Sequence, residues 1–266
     1  MTKPSSLITV VSLGIAGLAL CGQAHADLIN HWQFDEAAGT TVAADSAGSL
    51  NLALQGNADF VYDATRGGQV LSLDGADDYA SNAVEPFTSD ITHTLAVWVK
   101  HSDAGKLTQK WVSWGTASGR YFFGPRSNGD GWIFAGIGNQ ILVFNEAGAI
   151  PSQDVWQYWT LVRDGSNATL YRDGLFVQTL SAANTVAMST DGEFRVGCQY
   201  NTAEFLHGYI DDLAIWSEAL TQEQIISAMN YGAANYMIPE PSSAVLLSFA
   251  VMAMLLGLGS RRRVIG

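Results

Sequence analysis

Between Asp27 and Leu220 the chain is broken by turn residues about every 8–12 positions, a spacing that suits short strands of a two-layer β-sandwich. No segment with helical periodicity precedes Thr221. The runs between the turns are rich in β-branched and aromatic residues. Thr94-Leu95-Ala96-Val97-Trp98-Val99-Lys100 is the clearest strand by composition. Ala168 to Val177 reads as a hairpin with Asp173-Gly174 at its tip, a dipeptide suited to a two-residue turn.

The last folded stretch reads differently. His207 to Trp216 is a strand opened by Gly208, with Asp211 and Asp212 in its middle. Adjacent strand residues point to opposite faces, so one of the two carboxylates is expected on a packed side, where it needs a partner. Thr221 then offers a helix N-cap, with Gln224 three residues on as in a capping box. Ile225, Ile226 and Met229 share a helical face, and Gly232 ends the helix.

Both ends read as address labels. Residues 1–26 fit a signal peptide: Lys3, an apolar run from Leu7 to Leu20, and Ala24-His25-Ala26 before Asp27. Residues 238–266 hold Pro239-Glu240-Pro241, a charge-free apolar run from Ala244 to Gly259, and Arg261-Arg262-Arg263. An apolar helix of that length nearly crosses a thin bilayer, and the arginines hold its end on the cytoplasmic side. In order and spacing these parts resemble the PEP-CTERM sorting signal of Gram-negative bacteria. The resemblance implies exosortase as a processing partner, a transient membrane anchor and delivery to the cell surface or beyond.

Residues 27–237 form the expected body. They carry 9 basic and 24 acidic side chains, a balance that disfavours nucleic acid and anionic membranes. Cys198 is alone there, so no internal disulfide is possible, and a small buried apolar role is expected for it.

Six blocks of this body resemble the laminin-G-like (concanavalin A-like) jelly-roll family. They are Trp32-Gln33-Phe34-Asp35-Glu36, Asp45-Ser46-Ala47-Gly48, Leu73-Asp74-Gly75-Ala76-Asp77-Asp78-Tyr79, Ala96 to Lys100, Trp156 to Gly165, and Gly208 onward. Leu73 and Trp159 depart from the family pattern. The resemblance implies an all-β, two-sheet antiparallel sandwich with a short C-terminal helix before the hydrophobic tail. It also implies pairing of the first and last strands.

Trp98, Trp156 and Trp216 lie in strong strands and are expected in the core. Trp111, Trp114 and Trp132 lie in short, Gly-flanked segments and are the candidate ligand-binding rings, since indole faces suit the apolar faces of sugars. Asp35, Asp45, Asp211 and Asp212 would approach one another if the terminal strands pair. They are the candidate ligands of a structural calcium ion, which takes six to eight oxygens. The rival role for such acids is capping backbone N–H groups at turns. No strand carries alternating acids of the glycosidase type, no histidine pair has metal spacing, and nothing marks a nucleophile. The expected function is therefore a non-enzymatic, exported binding domain for a polysaccharide or surface protein. A glycoside hydrolase or polysaccharide lyase on the same sandwich is one alternative, and a purely structural matrix component another.

Overall fold

The computed structural model describes residues 27–87, 92–103, 108–117, 119–126, 133–138, 140–146, 151–181 and 192–235. Residues 1–26, expected as a signal peptide, the expected sorting residues Pro239, Glu240, Pro241, Arg261, Arg262 and Arg263, and Trp132 lie outside these residues.

The described strands are β1 (Leu28–Trp32), β2 (Val42–Ala43), β3 (Leu52–Gln55), β4 (Asp59–Asp63), β5 (Gly68–Asp74), β6 (Tyr79–Asn82), β7 (Thr92–His101) and β8 (Val112–Thr116). They continue as β9 (Gly119–Pro125), β10 (Ile133–Gly138), β11 (Gln140–Phe144), β12 (Trp156–Asp164), β13 (Asn167–Arg172), β14 (Leu175–Ser181), β15 (Phe194–Val196) and β16 (His207–Trp216), followed by α1 (Gln222–Tyr231). One sheet runs β14-β13-β12-β7-β16-β5-β4, with β1 also paired to β16. The other runs β11-β10-β9-β8-β15-β6-β3-β2. All named strand pairs are antiparallel, and β1 meets β16 as expected of terminal strands in this sandwich.

Alternation explains which residues meet between the layers. From β7, Leu95, Val97 and Val99 point inward; from β12, Trp159 and Leu161; from β9, Tyr121 and Phe123. Aromatic rings bridge the layers: Trp32 stacks on Phe194 with centroids 5.1 Å apart, and Trp111 meets Trp159 at 5.3 Å. Cys198 is free and buried, and burial pushes its thiol up to about 12.

A second apolar cluster lies on the outer side of the first sheet. There Ile225 and Ala228 of α1 cover Ala96, Ala214 and Trp216. The capping box forms at Thr221 and Gln224, and Gly232 closes the helix with a positive φ. At the β13–β14 tip Asp173 and Gly174 both adopt positive φ, as a type I′ turn requires. Gly208 is needed for space: a Cβ there would sit 2.1 Å from the Lys100 carbonyl oxygen.

Candidate functional site

α1 covers only part of the first sheet's outer side. Two cross-strand rows cross the remainder. One runs Trp156, Lys100, Tyr209, Ser72; the next runs Tyr158, Trp98, Asp211. Trp98, Trp156 and Tyr209 are half-buried, with Tyr158 beneath them.

Cations lie over these rings. The Arg66 guanidinium is 4.3 Å from the Trp98 centroid and 5.7 Å from that of Trp156. The Lys100 ammonium is 4.5 Å from the Tyr209 centroid and 5.2 Å from that of Trp156. Such contacts hold long side chains in place. Lys100 also donates a hydrogen bond to Asp63. Burial raises the Asp63 carboxyl, but the bonds from Lys100 and from the Arg66 and Thr65 amides outweigh it, leaving it at about 2.

The acidic pair sits on the same face. β7 advances two residues from Trp98 to Ala96, while β16 advances three from Asp211 to Ala214. This β-bulge, with Asp212 at φ 47°, overturns the expectation that the two side chains diverge. Both carboxylates reach one guanidinium: Arg66 Nε donates to Asp211 Oδ2 at 2.6 Å and Nη2 to Asp212 Oδ2 at 2.9 Å. Asp212 also meets His31 Nε2 at 3.1 Å. Burial, then the charge of Asp212, raises the Asp211 carboxyl to about 7, while Arg66 opposes the shift.

The four expected calcium ligands do not form one set. Asp45 is used up by five donors: the amides of His31, Ala47, Gly48 and Leu50, and the Asn30 side chain. Burial raises its carboxyl, yet these bonds bring the net below the usual range. It is a turn-capping carboxylate. Asp35 is exposed, lies against Gly68 and adds to the charge felt by Asp211. Asp211 and Asp212 are already held by Arg66, so a cation between them would have to displace a guanidinium. Among the described residues, Asp74, Asp77 and Asp78 bring carboxylate oxygens within 4.8 Å of one another. Asp74 accepts from the Ala76 amide, and Asp78 from the amides of Asn57 and Asp74. That is the geometry of a capped corner.

Four of the tryptophans exchange places relative to expectation, while Trp216 is buried as expected, beneath α1. Trp111 and Trp114 are buried between the sheets and present no face to solvent. Trp111 Nε1 donates to His101 Nε2 at 2.9 Å, and Trp114 stacks on Tyr121 at 3.9 Å. Within β8 Trp114 alternates with the outward Ser113, while Trp111 lies just before the strand, and a Gly flank says nothing about that phase. Trp98 and Trp156, expected inside, point outward. The overlooked signal was local: Lys100 lies two residues after Trp98 and shares its face. Arg66 and Tyr209 carried no such signal.

The profile of the concanavalin A-like lectin/glucanases superfamily matches residues 74–226. No curated protein matches the chain. Among solved structures it is similar to domain 4 of AbnA, a GH43 extracellular arabinanase from Geobacillus stearothermophilus, in complex with arabinotriose. The TM-score is 0.61 and the identity 18%, over 76% of this chain and 97% of that one. It is also similar to the binding domain of botulinum neurotoxin DC in complex with rat synaptotagmin II, with TM-score 0.57, 13% identity and 77% of this chain covered. The binding domain of Paraclostridial Mosquitocidal Protein 1 gives TM-score 0.56 and 15% identity over 77% of this chain. In these last two, the match spans about half of the other chain, 51% and 52% respectively. A single profile spanning the Asp74 corner, both inner layers and the start of α1 makes this chain a member of the concanavalin A-like lectin/glucanases superfamily.

Proposed function

We propose that this chain is an exported, non-enzymatic binding domain whose outer first-sheet face engages a polysaccharide or a surface protein. The observation that carries it is the pair of rows holding half-buried Trp98, Trp156 and Tyr209, bordered by Arg66 and Lys100. Rings with one partly open side suit the C–H faces of sugars, and fixed charged groups beside them suit hydroxyls. The solved relatives support both partner classes, one having been captured with arabinotriose and one with synaptotagmin. A glycan array on the full-length chain tests it. Binding that Trp98→Ala weakens supports this face, and binding that Trp98→Ala and Trp156→Ala leave intact rejects it.

Asp211, raised to about 7 beside Asp212, favours a second reading as a hydrolase, because separated carboxyl titrations are how acid and base roles arise. Against it, the two carboxylates share one guanidinium and do not flank a bond to be cut. Release of reducing ends or unsaturated products from any glycan that binds would favour the hydrolase or lyase.

Delivery belongs to the same proposal. Exosortase would recognise Pro239-Glu240-Pro241 and process the tail that the arginines anchor. In a Gram-negative host carrying exosortase, Pro239→Ala with Pro241→Ala is expected to leave an unprocessed, membrane-bound product. Unaltered processing would discard this route.

A further inference from the structure

The second sheet has an outer face of its own, built from different residues. On β9, Tyr121 and Phe123 point into the core, so Arg120 points outward. Its cross-strand neighbours are Gly115 on β8 and Gly138 on β10. Neither neighbour carries a side chain, and Gly192 packs on Gly115, where a Cβ on Gly192 would sit 2.2 Å from the Gly115 Cα. Arg195 also points outward, from β15, between Ser81 and Ser113. The turn after β15 lays Tyr200 between the two guanidiniums.

The two arginines are used differently. Arg195 donates to Glu193 Oε2 at 2.6 Å and to the Tyr200 carbonyl, and so is largely committed. Arg120 makes one hydrogen bond, from Nη1 to the Tyr200 hydroxyl at 3.3 Å, and its guanidinium lies 5.8 Å from the ring centroids of Phe122 and of Tyr200. Its Nε–H is shielded from solvent and has no acceptor, and no carboxylate among the described residues pairs with it. A guanidinium offers five N–H donors in a fork that matches a carboxylate or sulfate, and leaving a shielded donor unmade is costly. In a chain of net charge −12, a half-buried arginine with no carboxylate partner among the described residues is unusual. The Tyr79 and Phe205 rings, 6.2 Å apart, lie on the Arg195 side of this floor. Tyr79 touches Arg195 directly.

We propose that this floor is a second subsite that takes the anionic group of an acidic saccharide, with Arg120 as its guanidinium and Tyr200 beside it. It stands on another sheet from the face proposed above and does not depend on Trp98 or Trp156. Among the described residues Glu193 is a carboxylate on this floor, and Arg195 pairs with it.

Isothermal titration of the full-length chain with tetragalacturonate, with a sulfated disaccharide and with carboxyl-reduced tetragalacturonate tests the assignment. At least one anionic probe should bind, with the tighter one identifying the group, and the reduced analogue should not. Arg120→Gln should weaken the anionic probe by about tenfold or more, the size of a charged hydrogen bond. Arg120→Lys should fall between, since it keeps the charge without the fork. Trp98→Ala should leave that affinity within about twofold, as expected of a distant site. In the unaltered chain, the Arg120 Nε–H resonance should shift on adding the probe, a readout independent of any variant's folding. Equal binding of the reduced analogue, a silent Arg120 resonance, or no binding of either anion would overturn the proposal.

Discussion

Arg66 Nε lies 2.6 Å from Asp211 Oδ2, joining a loop after β4 to the middle of β16 across 145 positions of sequence. The same guanidinium lies over part of Trp98, so one side chain both pairs with the two acids and borders the proposed binding face. Removing it leaves a buried carboxylate beside a second one. Arg66→Ala is expected to cost about 2–4 kcal/mol, toward the lower end for a pair that is partly open to water. Arg66→Ala with Asp211→Asn should recover much of that loss, because the unpaired charge is gone. Urea denaturation of the three variants checks the cycle, and a double variant no more stable than Arg66→Ala would show that the ring contact dominates.

The pH dependence should split into two opposed parts. Asp211 is raised from 3.8 to about 7 in the folded state, so folding binds a proton between those values. Its contribution is fully present below pH 4 and is lost as pH rises through about 7. His101 does the reverse. Burial alone lowers it from 6.5 to about 4, and Trp111 donates to its Nε2, which must be unprotonated. Its contribution is present above pH 6.5 and is lost as pH falls through about 4, at most about 3 kcal/mol. Thermal melts from pH 4 to 7 should therefore show Asp211→Asn losing stability with acid more steeply than the unaltered chain. A curve parallel to the unaltered one would mean that Asp211 stays ionised throughout.

The two classes of tryptophan should separate cleanly. Trp111→Ala or Trp114→Ala removes a buried ring and should destabilise the sandwich by about 3–5 kcal/mol. Trp98→Ala and Trp156→Ala should cost less stability and instead weaken ligand binding by about tenfold or more, as anchor residues do. Paired melting and binding curves distinguish these outcomes. Loss of binding in Trp111→Ala with an unchanged melting temperature would return that residue to the site.

Much of this fold was readable because alternation and turn chemistry are local. The Asp173-Gly174 tip, the Thr221 cap and the β16 span follow from a few neighbouring residues each. The proposed binding face is less readable for a physical reason. Strand alternation tells which residues share a side, but not which side meets the opposite sheet, and Trp98 was assigned the wrong one. The Asp211–Asp212 geometry was hidden further, because a bulge leaves no local mark when its positive-φ residue is an aspartate and not a glycine. Arg66 could not have been placed at all without the β4–β5 hairpin that carries it back over β16.

The capped helix decides how much of the outer face stays open, which makes its end a sensitive test. Thr221 Oγ1 accepts from the Gln224 amide at 3.3 Å, and Gln224 Oε1 accepts from the Thr221 amide at 2.7 Å. α1 has only ten residues and no basic residue in its last turn, so its own propensity is weak and the cap and packing must hold it. Thr221→Ala should cost about 1 kcal/mol, and Thr221→Ser should be close to neutral. Because Trp216 lies beneath this helix, fraying should appear first as a red shift of its fluorescence, before the strands unfold. Coincident loss of fluorescence and β-sheet signal in Thr221→Ala would show instead that helix and sandwich melt as one unit.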